Sequence, residues 1–153
     1  MKQFILVAMI LAVTLAMPSQ AQEPGQAVEG SAVALDGETL AIDETRLRLF
    51  AVDAPSLDSP FGWRARAALD DLITGRYIAC RVEMLDPAGL PVAQCFREGV
   101  PVLERNLTLE MIRAGYAVLN REHAQTKGSF DKLLALEREA RENRRGLWAN
   151  MPK

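Results

Sequence analysis

Apolar and polar residues alternate along Ala27–Asp36 (AVEGSAVALD), and again over Thr39–Ile42 and Leu47–Val52, with the polar Asp43-Glu44-Thr45 turn between the last two. Alternation with a period of two predicts strands. It sets Leu47, Leu49 and Ala51 on one face and Arg48 and Phe50 on the other, so Arg48 projects from a strand, which holds it more rigidly than a loop. The period then changes. Across Pro60–Thr74, Ala65, Ala68, Leu69, Leu72 and Ile73 form a helical stripe, with Gly75 as its stop. Two further apolar runs, YIACRVEML and PVAQCF, flank Asp86-Pro87-Ala88-Gly89, and the spacing of Asp, Pro and Gly suits a type I turn. Leu107–Ala114 reads as a second helix ending at Gly115. Ser129–Arg145 reads as a third, capped by Ser129 and stopped by Gly146, with Phe130, Leu133, Leu134 and Ala140 on its inner side. Trp148 then folds back on the body.

The order is three strands, a helix, two strands and two helices. Periodicity alone gives a small α+β domain with an antiparallel sheet. Five antiparallel strands interrupted by a helix suit an OB-type barrel carrying three helices.

Residues 1–21 stand apart from this pattern. Lys2, an apolar run from Phe4 to Met17 and Pro18-Ser19-Gln20-Ala21 have the layout of a secretory signal cut after Ala21. A membrane anchor is the competing reading, but the run is short for roughly 30 Å of hydrocarbon, and no cysteine near the cut supports a lipid link. The expectation is a signal peptide over 1–21, a flexible leader over 22–26 and one domain over 27–150. Such a protein is secreted or periplasmic, with no stable membrane insertion once the signal is removed. The chain carries a formal net charge of −2. No global field draws it to a polyanion, so any nucleic-acid site has to be a local patch.

Cys80 and Cys95 are the two cysteines of the chain. They lie symmetrically about the Asp86–Gly89 turn, so a tight hairpin faces them across two strands, or nearly so with a bulge at Gly89. An oxidising compartment then permits a disulfide, which contributes roughly 3 kcal/mol in the chain-entropy account. Two buried free thiols are the alternative.

Several short motifs, taken in order, carry a resemblance. They are Asp36-Gly37-Glu38-Thr39, Arg48-Leu49-Phe50-Ala51-Val52-Asp53-Ala54-Pro55, the helix ending in Gly75, the cysteine hairpin, Ile112-Arg113-Ala114-Gly115-Tyr116-Ala117 and Gly146-Leu147-Trp148. Together they resemble the staphylococcal nuclease (thermonuclease-like) family over nearly the whole chain after residue 21. The resemblance implies calcium-dependent cleavage of phosphodiester bonds in DNA and RNA. In that chemistry carboxylates hold a hard cation, a glutamate helps activate water and two arginines grip the phosphate.

Position by position, the resemblance implies an eroded site. The first metal carboxylate falls on Glu38, one methylene longer than the family's aspartate, and the second on Asp53. A backbone-carbonyl position falls on Ala54. The first arginine is Arg48. The general-base glutamate falls on Ser56, the second arginine on Leu90, and a lysine and tyrosine bordering the nucleotide fall on Pro87 and Ala88. Loss of a general base costs roughly two to four powers of ten in rate, and loss of an arginine clamp a similar order.

Other charges are weighed as substitutes. Asp58 could swing in for the base, and Arg46 or Arg97 for the lost cation; each also reads as a solvated surface charge. His123 reads as surface filler, and Asn106 as a helix cap rather than a glycosylation acceptor. Arg138, Arg141, Arg144 and Arg145 form a cationic side on the last helix, interleaved with Glu137, Glu139 and Glu142. They read first as a solvated face and second as a nucleic-acid patch. The expectation is a catalytically degenerate domain that binds nucleic acid, a nucleotide or a protein, with calcium weakly held or not at all. A feeble calcium-dependent nuclease is the alternative, and a purely structural envelope protein a third class.

Overall fold

The computed structural model describes residues 22–125 and 130–150. The signal reading of 1–21 and the Ser129 cap lie outside the described residues. Three strands open the fold: β1 (Ala27–Ala34), β2 (Thr39–Ile42) and β3 (Thr45–Leu49). A short β4 (Val52–Asp53) precedes helix α1 (Gly62–Ile73). Then come the hairpin β5 (Tyr77–Leu85) and β6 (Pro91–Arg97), helix α2 (Leu107–Arg113), strand β7 (Val118–Leu119), and helices α3 (Arg121–Gln125) and α4 (Phe130–Glu142).

The first five long strands close into a barrel in the order β1-β2-β3-β6-β5. Four of its pairings are antiparallel, and the pairing of β3 with β6 is parallel, with Arg48 facing Val92 and Leu49 facing Ala93. The mixed sheet corrects the all-antiparallel expectation for a simple reason. Directions cannot alternate around a closed ring with an odd number of strands, so at least one neighbour pair must run parallel. The helix count also rises from three to four, because Arg121–Gln125 forms a short helix of its own.

The barrel interior is apolar. Leu40, Leu47, Leu49, Ile78 and Val92 have no exposed surface. Helix α1 packs against β1 and α2 and buries Ala65, Leu69 and Ile73, and α2 adds Leu107, Met111 and Ile112. Asn106 caps α2, its side-chain oxygen accepting the Leu109 N–H at 3.1 Å. Residues 22–26, expected as a flexible leader, are tied to β5: the Gly25 N–H donates to the Val82 carbonyl at 2.7 Å, and the Val82 N–H to the Gln26 carbonyl at 2.9 Å.

The β5–β6 hairpin reaches its cysteine register by two compensating irregularities. Gly89, with φ at +81°, supplies a bulge after the turn. Leu85 therefore faces Pro91 and Met84 faces Val92, one step out of symmetry. A second irregularity between Val82 and Met84 restores the step, so Val82 faces Ala93 and Cys80 faces Cys95. The two cysteines form a disulfide with their Cα atoms 4.1 Å apart. Thiol titration of the denatured, unreduced protein is therefore expected to find no free thiol. Two thiols per chain would break the assignment.

The alternation that predicts β3 fails at its end. Ala51 adopts a left-handed backbone, φ +65°, which turns the chain out of β3. Phe50 is consequently buried rather than sharing the Arg48 face. The kink is held by three hydrogen bonds: Phe50 N–H to the Ala93 carbonyl, Thr108 Oγ1 to the Phe50 carbonyl and Asn120 N–H to the Ala51 carbonyl. Its effect is to send Val52–Asp53 away from the barrel to pair with Val118–Leu119.

Candidate functional site

The turn between β1 and β2 fixes Glu38. Asp36 Oδ1 accepts the N–H groups of Glu38 and Thr39 at 2.8 and 2.7 Å, and the Glu38 carbonyl accepts the Leu49 N–H at 2.7 Å. Gly37 makes this turn possible by close approach. A Cβ there would lie 2.6 Å from Ala65 Cβ and 2.7 Å from Ala54 Cβ. Arg48 stands between two strands, opposite Thr39 on β2 and Val92 on β6. Asp53 is delivered by the Ala51 kink.

These three side chains converge. Arg48 Nη2 lies 2.8 Å from Glu38 Oε1 and 3.1 Å from Asp53 Oδ1. Glu38 Oε2 accepts the Ala54 N–H at 2.5 Å. Asn120 Nδ2 donates to both oxygens of Asp53 at 3.1 Å. All four carboxylate oxygens thus have a donor within the protein. The cluster of two carboxylates and one guanidinium carries a formal charge of −1.

Asn120 is the residue that sequence reasoning missed. Its Oδ1 also accepts the His123 N–H at 3.0 Å, capping α3. An Asn directly before Arg121–Gln125 is the usual signal of an N-cap. Its second task, holding Asp53, depends on the pairing of β4 with β7, which no local pattern announces.

Burial pushes the Glu38 carboxyl above its ordinary value of 4.5; the Ala54 N–H and the Arg48 guanidinium pull it down by less, and Asp53 and Asp36 add to the rise. The folded state therefore holds this proton more tightly than the unfolded chain. The associated stability is present below the ordinary value and is lost as pH rises through the raised one. The urea midpoint is expected to fall across the window just above pH 4.5, and Glu38→Gln to flatten that slope. A midpoint that rises through this window in the wild type and is unaltered by Glu38→Gln would contradict the assignment.

The other candidate positions lie outside this cluster. Ser56 is exposed, and its carbonyl accepts the Ser59 N–H at 2.9 Å. Leu90 is half-buried at the hairpin turn, where its N–H donates to Asp86 Oδ1 at 2.8 Å. Asp58 and Arg46 are exposed. Arg97 is buried, not solvated. Its Nε donates to the Glu104 carbonyl at 2.8 Å and its Nη2 lies 3.9 Å from Glu110, so it is committed to the α2 side. Nor is His123 surface filler: its ring stacks on Phe50 with centroids 5.9 Å apart. Glu137, expected on a solvated face, is buried and accepts the Leu119 N–H at 3.0 Å.

A calcium ion takes about six to eight oxygen ligands. Glu38 and Asp53 offer two carboxylates that share the Arg48 guanidinium, and each of their oxygens already accepts a donor of the protein. Among the described residues no three or more His, Cys, Asp or Glu side chains are placed to hold a metal. A calcium ion held between Glu38 and Asp53 would have to displace Arg48 from both. No helix among the described residues is long and apolar enough to cross a membrane.

Comparison with known proteins agrees with the barrel and the motif order. A family described as "Staphylococcal nuclease homologue" matches residues 46–150. The chain is 34% identical over 115 residues to "Probable staphylococcal-like nuclease CAN2" of Oryza sativa subsp. japonica, covering 75% of this chain and 28% of that protein. It is 28% identical over 151 residues to "Protein ParB" of Escherichia coli, covering 94% of this chain and 82% of that protein. It is 27% identical over 152 residues to "Micrococcal nuclease" of Shigella flexneri, covering 94% of this chain and 84% of that protein.

Proposed function

Since this chain belongs to the staphylococcal nuclease family, we propose that it is an exported, non-hydrolytic member that acts by binding nucleic acid. The observation that carries this reading is the pairing of Arg48 Nη2 with both Glu38 and Asp53, whose four oxygens each accept a donor of the protein, while Arg48 Nε is buried without a hydrogen-bond partner among the described residues. Phosphodiester hydrolysis needs positive charge on the phosphoryl oxygens and a base for the proton of water. Arg48 has its Nη2 engaged by two carboxylates, so this arm of the guanidinium is turned to the protein's own acids. The cluster's net negative charge repels a phosphate. The Ser56 hydroxyl titrates far too high to accept a proton near neutrality, and Leu90 carries no charge. This chain thus supplies neither a proton acceptor nor a second cation at the family's base and second-arginine positions. The disulfide and the apolar segment before Ala21 support an oxidising, exported setting. A nucleotide or a protein as the ligand would leave the same non-hydrolytic role.

A weak calcium-dependent endonuclease is the second reading, favoured by the nuclease names of the relatives. A labelled single-stranded oligonucleotide separates the two. Binding of equal strength in chelator and in millimolar calcium, with the strand intact afterwards, is the expected outcome. Calcium-dependent shortening of the strand would establish the second reading, and no binding of any strand would remove the nucleic-acid role.

A further inference from the structure

The start of α1 brings two aromatic and two cationic side chains together: Phe61, Trp63, Arg64 and Arg66. Trp63 is 58% exposed, an unusual state for the largest apolar side chain in a fold whose other tryptophan, Trp148, is 7% exposed. The two tryptophans differ in company as well. Trp148 is covered by Arg141, whose guanidinium also pairs with the buried Glu137. Trp63 carries Arg66 at 5.4 Å from its ring centroid, and Arg64 lies 6.0 Å from the Phe61 centroid. Among the described residues neither Arg64 nor Arg66 sits in an ion pair, and the first turn of α1 holds no acidic residue. Arg66 is also fixed in place, its Nε donating to the Ala34 carbonyl at 3.0 Å.

This patch is rigidly joined to the barrel site. A Cβ on Gly62 would lie 1.9 Å from the Ser56 carbonyl oxygen, so the helix start and the Ser56 loop are in direct contact. Ala65, two residues past Trp63, presses on Gly37 beside Glu38.

A single-stranded polynucleotide offers two things at a regular spacing, flat base faces and phosphate charges. Proteins hold it with aromatic side chains for the faces and unpaired cations for the charges. A duplex hides its base faces and offers only the second. The barrel cluster is net negative and the chain as a whole is acidic, so attraction has to come from cations outside ion pairs elsewhere, and Arg64 and Arg66 are such a pair beside an indole that is 58% exposed with Arg66 over its ring. We propose that the start of α1 is a stacking platform for single-stranded nucleic acid, a base lying on the Trp63 indole and the flanking phosphates meeting Arg64 and Arg66. The proposal rests on the nucleic-acid role above and locates its contact.

Tryptophan fluorescence and anisotropy titrations with a labelled oligothymidylate test it. Binding is expected to quench the exposed Trp63 and to weaken as salt rises. Trp63→Ala should lower the affinity by about 5- to 150-fold, the usual worth of one stacked base, with thermal stability unchanged. Trp63→Phe should retain most of the affinity and lose the quench. Arg64→Ala should reduce the slope of log affinity against log salt by about 0.7. Oligonucleotide binding unaltered by Trp63→Ala would overturn the platform while leaving the nucleic-acid role intact. Failure of the wild type to bind any strand would remove both. A blue shift of Trp63 on anionic phospholipid vesicles, with no response to the oligonucleotide, would overturn the platform in favour of a membrane surface.

Discussion

The triple variant Ser56→Glu, Leu90→Arg and Glu38→Asp is expected to cut single-stranded DNA in millimolar calcium at least about a thousandfold faster than the wild type, whose own rate stays near background. A general base is worth about two to four powers of ten and an arginine clamp a similar order. The scaffold is prepared to receive both. The Leu90 main chain is pinned by Asp86, so its side chain can change without disturbing the turn. The Ser56 main chain is pinned against Gly62. Shortening Glu38 withdraws its carboxylate from the Ala54 N–H and loosens its hold on Arg48. The base and the clamp act in one transition state, so each single change should give little, and the combination more than the product of the singles. A fluorogenic oligonucleotide measures all variants on one scale. Robust calcium-dependent cleavage by the wild type, abolished by Arg48→Ala, would mean a working site with a different base, and Asp58, exposed on the same loop, would be the first residue to change.

Much of the fold is legible because each element announces itself locally. Alternation marks β1, β2 and the body of β3. The stripe Ala65, Leu69 and Ile73 marks α1, and the Asp86–Gly89 turn marks the hairpin. Legibility stops where a residue's role is set by a distant segment. Nothing around Phe50 and Ala51 forbids continued alternation; the left-handed Ala51 exists because Thr108 and Asn120 hold the carbonyls on either side of it. Glu137 looks like any acidic residue of a solvated helix until the end of β7 presents the Leu119 N–H to it. The motif order points to Glu38, Arg48 and Asp53 as neighbours. It does not reveal that Arg48 pairs with both acids at once, because that depends on distances of about one side-chain length. The exposure of Trp63 is hidden for a related reason: a tryptophan is usually largely buried, and only the folded surface leaves this one in solvent.

Arg48→Ala is expected to destabilise the protein by about 3 kcal/mol, and calcium is expected to reverse part of that loss in the variant alone. Removing one member of a buried charge cluster leaves the others unpaired, at a cost of about 3–5 kcal/mol. The side chains of Arg48, Glu38 and Asp53 are 28%, 17% and 43% exposed, which places the effect at the low end of that range. For a chain of this size the melting temperature should drop by about 10 °C. Two facing carboxylates without their guanidinium then form an acidic pocket open to a hard cation. Calcium bound only by the folded state at ten times its dissociation constant returns about 1.4 kcal/mol. In the wild type the same calcium should leave the melting temperature unchanged, because Arg48 already pairs with both acids. Adding Glu38→Gln to Arg48→Ala removes one of the orphaned charges, so the double variant should melt above Arg48→Ala and respond less to calcium. Calorimetry with calcium and with chelator reads all of these directly. A wild type stabilised by calcium as strongly as the variant, or an Arg48→Ala that melts with the wild type, would show that the guanidinium does not occupy the cation's place.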